Sequence, residues 1–204
     1  MARLHFVKSA RVGKGKARPK CGSCSNVIEV GQPYYWWANR IGRSSSKHFR
    51  CEGHRPKPSE MAGSQYQQAS LAAQEEVTDA LGSDDLSDLS AALEGVADTI
   101  ESDCAEALRQ SAENIEEGFG HATSQSDELR ERADAFDEWA RALRDAADQV
   151  GSAASEVAEI EDGHGDEGCP EGDELGVCTC EDDAETKRGE ARQVAEDALR
   201  ECPE

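Results

Sequence analysis

An α+β fold, mostly α, is predicted for this chain: a small β-hairpin module followed by a long acidic antiparallel helical hairpin. Three observations predict it. The 204 residues contain only 5% aromatics, and mean hydropathy is -0.74, so helices burying narrow stripes suit the composition better than one large core. Charge is divided sharply along the chain. Residues 1–58 carry thirteen Lys or Arg and two acids, whereas the rest holds nine bases and forty-one acids. Four of the ten aromatic residues fall in one run, Tyr34-Tyr35-Trp36-Trp37, inside the basic part. The sign change predicts modules with different tasks. We divide the chain into a basic arm and finger (1–58), an acidic coiled-coil-like region (59–160), and an acidic cysteine-containing loop with a C-terminal helix (161–204).

The first module opens with a basic arm: Arg3, Lys8, Arg11, Lys14, Lys16, Arg18 and Lys20 precede any acid. Gly13, Gly15 and Pro19 predict an arm that orders on contact. Cys21-Gly22-Ser23-Cys24 is a C-x2-C knuckle with glycine in the turn, the spacing at which two thiolates grip one tetrahedral Zn²⁺. Two overlapping second pairs exist, His48-x2-Cys51 and Cys51-x2-His54, and both share Cys51. Either closes a Cys3His site; the spacing alone leaves His48 and His54 as alternatives. Between the knuckles, Val27–Val30 reads as a strand, Gly31-Gln32-Pro33 as a turn and Tyr34–Ala38 as a second strand, making a hairpin. Alternation places Tyr34 and Trp36 on one side, Tyr35 and Trp37 on the other. A module this small needs a metal staple, because so few residues bury little surface. Arg11, Lys14, Lys16, Arg18, Lys20, Arg40, Arg43 and Lys47 then supply phosphate contacts, and Trp37 is a candidate for base stacking.

These residues, C-x2-C, then "IEVGQPYYWW", then His-x2-Cys, resemble the PARP-type zinc finger, a treble-clef-like module. The resemblance covers roughly residues 18–58 and implies Cys21, Cys24, His48 and Cys51 as zinc ligands, with contacts to DNA breaks. The wider layout, including the phrase "ENIEEGFGHATSQSDEL", resembles proteins of tailed viruses infecting actinobacteria or haloarchaea.

Pro56 and Pro58 close the finger, and a helix is expected from Ser59-Glu60 to about Leu81. Gly82-Ser83-Asp84 breaks and recaps the chain. Leu86, Leu89, Leu93, Val96, Ile100, Cys104, Ala107/Leu108 and Ile115 then recur at steps of mostly three and four, the seam of a coiled coil. Gly118-Phe119-Gly120 stops this helix. A second starts near Ser126-Asp127-Glu128, with Leu129, Ala133, Phe136, Ala140, Leu143, Ala147, Val150, Ala154 and Val157 as its seam. Similar lengths and a short turn predict an antiparallel pair. Phe136 and Trp139 are packing anchors.

In the tail, His164, Cys169, Cys178 and Cys180 sit among acids and glycines at no regular knuckle spacing, and a last amphipathic helix runs from about Asp183 to Arg200. The chain carries no Walker-type phosphate loop, no G-x-G-x-x-G after a strand, no H-E-x-x-H and no G-x-S-x-G, so no enzyme is expected. Without a continuous apolar run, a cytoplasmic protein is expected, in a host cytoplasm if viral, with no membrane partner. The leading expectation is a zinc-finger nucleic-acid-binding accessory protein, with DNA held by residues 1–58. The alternatives are a finger that docks a protein partner on a structural or self-associating helical scaffold, and an acidic DNA mimic that inhibits a basic protein.

Overall fold

The computed structural model describes residues 2–11, 18–41, 44–162 and 180–203. The fold is mostly α with one small antiparallel sheet. It divides into two compact units, residues 1–72 and 73–204, each described by itself. The division falls later than Pro58, and residues 180–200 belong with the second unit.

In the first unit β1 (His5–Val7), β2 (Tyr34–Ile41) and β3 (Ser44–Cys51) form a sheet in the order β1-β2-β3. The hairpin is therefore β2 with β3, not Val27–Val30 with Tyr34–Ala38. Val27 makes only an isolated bridge to Lys20. Gly31, at φ +90°, turns the chain toward the arm: its N–H donates to the Ala10 carbonyl, and the Ala10 N–H donates to Gln32. Glycine suits this left-handed position because it lacks a Cβ. The sequence of β3, Ser-Ser-Ser-Lys-His-Phe-Arg-Cys, has no apolar alternation, so its strand character comes from pairing with β2. Part of the basic arm is likewise a strand; its residues 12–17 lie outside those described. A single 3-10 turn, Ser59–Met61, replaces the expected helix start.

Helix α1 (Gln65–Ala80) spans the division between the units. In the second unit α2 (Leu86–Thr99) is capped by Asp85, whose carboxylate accepts from the Ser87 N–H at 2.8 Å. It continues through a π-helical segment, Ile100–Glu106, into α3 (Ala107–Phe119). The π segment follows from the seam. Buried Val96, Ile100, Cys104, Leu108 and Ala112 recur every four residues, and each such step overshoots an α-helical turn by about 40°. Wider π turns absorb the overshoot and keep Cys104 and Leu108 facing inward. Gly120, at φ +73°, ends α3 and donates its N–H to the Glu116 carbonyl at 2.7 Å.

Helix α4 (Ser124–Asp162) begins at a reciprocal cap: Ser126 N–H donates to Thr123 Oγ1, and Thr123 N–H donates to Ser126 Oγ. It packs along α2, the π segment and α3. The expected seam is buried at Ala133, Phe136, Ala140, Leu143, Ala147, Val150 and Val157, while Leu129 and Ala154 are half-buried. A third helix, α5 (Cys180–Arg200), also packs on α4, so the expected antiparallel pair is extended to a bundle. Trp139 makes the difference: it is buried, and its Nε1 donates to the Ala198 carbonyl at 2.9 Å. The buried face of α5 is Ala184, Ala191, Ala195 and Ala198.

Cross-helix ion pairs line the bundle. Arg109 reaches Asp134 and Asp137, Arg130 reaches Glu116, and Arg144 reaches Asp98 and Glu101. Lys187 and Arg188 on α5 pair with Glu156 and Glu161 on α4. Arg192 donates to the Ser83 carbonyl at 3.0 Å and pairs with Asp84. Among the described residues, no helix is long and apolar enough to cross a membrane.

Candidate metal centre

The centre is assembled from two turns brought together by the end of β3. In the first, the Cys21 N–H donates to the Asn26 carbonyl and the Ser25 N–H returns to Cys21, each at 2.9 Å. Ser25, at φ +60°, is the one non-glycine residue with positive φ among those described, a conformation tolerated where surrounding structure demands it. The Gly22 N–H donates to the Phe49 carbonyl at 2.9 Å and ties this knuckle to β3. A Cβ on Gly22 would stand 2.0 Å from Arg50 Nη1, so glycine lets the guanidinium pass. The second turn begins at Cys51, the last residue of β3, and the His54 N–H donates to its carbonyl at 2.9 Å.

The ligand atoms of Cys21, Cys24, Cys51 and His54 all lie within 4.8 Å of one another, and this group could hold a metal ion. Cys24 Sγ is 3.9 Å from Cys51 Sγ, and Cys21 Sγ is 3.9 Å from His54 Nδ1. His54 Nδ1 is 3.0 Å from Cys51 Sγ. A tetrahedron with metal–sulfur bonds of about 2.3 Å has edges of about 3.8 Å, close to the longer separations. A disulfide needs about 2.05 Å, so these are free thiols converging on a point. Cys21 is buried, Cys24 and Cys51 are half-buried, and His54 is exposed.

The electrostatics suit a cation. Burial pushes the Cys21 thiol up, but hydrogen bonds from the backbone of Cys24, Cys51 and Ser23 outweigh it and bring its pKa from 9.0 down to about 6. Burial raises Cys51, and neighbouring Cys21 and Cys24 add to the rise. Crowded thiolates that oppose one another's ionisation are relieved by a shared positive ion.

His48, the fourth ligand implied by the resemblance, is not in the group. It lies three residues before Cys51 on the same strand, and an odd offset sends the two side chains to opposite faces. His48 instead stacks on Trp37, opposite it in register, with ring centroids 5.1 Å apart. Cys51-x2-His54 escapes this limit because the chain leaves the strand and turns.

Trp37 is also corrected. Its side chain is 1% exposed, its Nε1 donates to the Glu60 carbonyl at 3.2 Å, and Arg50 lies over its ring at 5.5 Å. So deeply buried, the ring is not open to a base. Arg50 itself pairs with Glu60, an anchoring contact that the sequence did not single out. Of the candidate phosphate contacts, Arg11, Lys20 and Lys47 are exposed, and Arg18 pairs with Glu29 at the surface. Arg40 lies on β2 opposite Ser45. Lys14, Lys16 and Arg43 lie outside the described residues, as do His164, Cys169 and Cys178; Cys180 opens α5.

The sequence does not single out His5 or Phe49, and it points to Trp37 in place of Trp36. His5 stacks on Trp36 with centroids 4.3 Å apart and planes 8° from parallel, and Trp36 faces Phe49 in register. The signal was present in the short His-Phe-Val run of β1, read instead as part of a flexible arm. The chain matches no family model, no curated protein and no solved structure.

Proposed function

We propose that Cys21, Cys24, Cys51 and His54 hold Zn²⁺ as a structural ion, and that the basic unit around it binds nucleic acid. Three thiolates and one imidazole at tetrahedral spacing are the donor set zinc favours, and four protein ligands close the site to a reacting water. The observation that carries the nucleic-acid reading is the charge left over in the first unit. Of its three acids, Glu29 and Glu60 are engaged by Arg18 and Arg50, while Arg11, Lys20 and Lys47 stay at the surface. Excess positive charge on a metal-stapled module supports phosphate contacts and counterion release. The acidic helical bundle then serves as a scaffold.

The test is a salt series of binding by the zinc-loaded chain to single-stranded, nicked and intact DNA, with Cys21→Ser as control. Binding that weakens steeply with salt and is lost with Cys21 supports the reading, and preference for nicks extends the likeness to PARP-type fingers. An absence of binding at about 50 mM salt, where phosphate contacts are strongest, sinks it.

One observation favours a second reading, the acidic mimic of nucleic acid. Among the described residues five of the bundle's nine bases bridge helices, and those nine bases face forty acids, so the unit keeps a large acidic excess. A bundle fragment, residues 73–204, that displaces DNA from a basic protein would support this alternative.

A further inference from the structure

Strand pairing assigns each side chain of the sheet to one of two faces. His5 on β1, Trp36 on β2 and Phe49 on β3 are directly opposite one another, so three rings form one rung across all three strands. Tyr34, two residues along β2 on the same face, has its ring 6.1 Å from Phe49. Lys47, also on this face, holds its Nζ 5.0 Å from the Trp36 centroid. None of these four rings is buried, and Lys47 is exposed. The opposite face is mixed, with an exposed Phe6 whose ring lies 5.0 Å from that of Tyr35. There Trp37 is buried between His48, Arg50 and the Glu60 carbonyl. Trp37 is thus the buried ring of the sheet, while the Trp36 side, which also carries Cys51, holds half-buried rings beside a cation.

We propose that His5, Trp36, Phe49 and Tyr34, with Lys47, form a stacking platform for unpaired bases, so that the ligand is single-stranded nucleic acid. This rests on the nucleic-acid reading above and narrows it. Bases in a duplex stack on each other and present only their edges in the grooves, with no face for an aromatic ring to stack on. Unpaired bases offer both faces, which stack on aromatic side chains with little regard to sequence. His5 covers one face of Trp36, so a base would stack by taking the place of Lys47 over the ring, and the displaced ammonium would meet the adjoining phosphate; the surplus charge of the unit guides the strand in.

The experiment uses the full-length zinc-loaded chain at about 50 mM salt with a labelled oligothymidylate, the matching oligouridylate and a duplex of equal length. Trp36→Leu is expected to weaken single-strand binding about tenfold or more, with much less effect on the duplex. Quenching of intrinsic tryptophan fluorescence by the oligonucleotide should shrink with it. His5→Ala and Phe49→Leu, with zinc content and far-ultraviolet circular dichroism matching the parent, repeat the test should Trp36→Leu fold poorly. Tighter binding of oligouridylate identifies RNA as the source, and tighter binding of oligothymidylate identifies DNA; either supports the platform. Equal weakening on single strand and duplex, or no weakening in any of the three variants, overturns the platform and leaves the nucleic-acid reading standing. Failure of the parent chain to bind any of the three probes overturns both.

Discussion

His54 and His48 have the same chemistry and lie within a few residues of Cys51, yet only His54 shares its point in space. Removing the imidazole should therefore have opposite outcomes at the two positions. If the proposed site holds zinc, His54→Ala is expected to lower the metal bound per chain and weaken its retention against a chelator, whereas His48→Ala should keep full stoichiometry, as read by metal analysis after gel filtration. His48→Ala should cost stability by a different route, the loss of the ring stacked on Trp37. Trp37→Ala removes the largest buried side chain of the first unit together with the donor to Glu60, a change of the kind that costs about 3–5 kcal/mol. Denaturant unfolding followed at that unit should show the loss. A shift below about 1 kcal/mol would mean that Trp37 is not the core residue its burial implies.

At the scale of elements, α5 is held to α4 by small side chains and one large one. The four buried alanines of α5 each remove little apolar surface, while a buried tryptophan removes about 150–250 Å². Trp139→Ala should accordingly release α5, seen as faster amide exchange over residues 180–200 while α2 and α4 stay protected. Uniform protection across all three helices would show that the alanines and the Lys187 and Arg188 pairs suffice. The Arg130 pair between α3 and α4 predicts a pH dependence. Hydrogen bonding from Arg130, then from Ser126, holds the Glu116 carboxyl below its ordinary 4.5. A carboxylate depressed by folding stabilises the native state above its unfolded value, and that contribution disappears as pH falls through the folded value. Glu116→Gln should thus flatten the loss of stability below about pH 4.5 and leave the slope at neutral pH unchanged. Thermal unfolding across that range measures both.

For the whole molecule, charge and the proposed metal act on different parts. Residues 73–204 hold forty acids against nine bases, so the bundle repels itself at low ionic strength in spite of its bridging arginines. Added salt screens that repulsion, and the bundle's midpoint of thermal unfolding should rise between about 0.05 and 1 M salt. Chelation should do the reverse to a different region. Removing the ion leaves three thiols and an imidazole facing one another in a unit with a small core, so strand signal should be lost while helical signal persists. Loss of both signals together would contradict the division into two units.

Much of this protein is legible in its residues, because the signals are local. The knuckle at Cys21 and Cys24, Cys51 as the third thiol of the group, the mostly α character, the seams of α2 and α4 and the turn at Gly120 all follow from spacing, periodicity and the conformational freedom of glycine. Four features depend on contacts between segments distant in sequence, and only the tertiary structure decided them. Strand alternation across a paired β3 chose His54 over His48. Pairing also recruited the basic arm as β1 and drew the polar run Ser44–Cys51 into the sheet, since a strand's partner need not carry an apolar pattern of its own. The buried face of α5 is alanine, which sequence patterns weigh lightly, and it is recognisable as core only where Trp139 lies against it. Trp36 and Trp37 are adjacent and chemically identical; which became core and which stayed on the half-open face was settled by the turn at Glu60 closing over one side of the sheet.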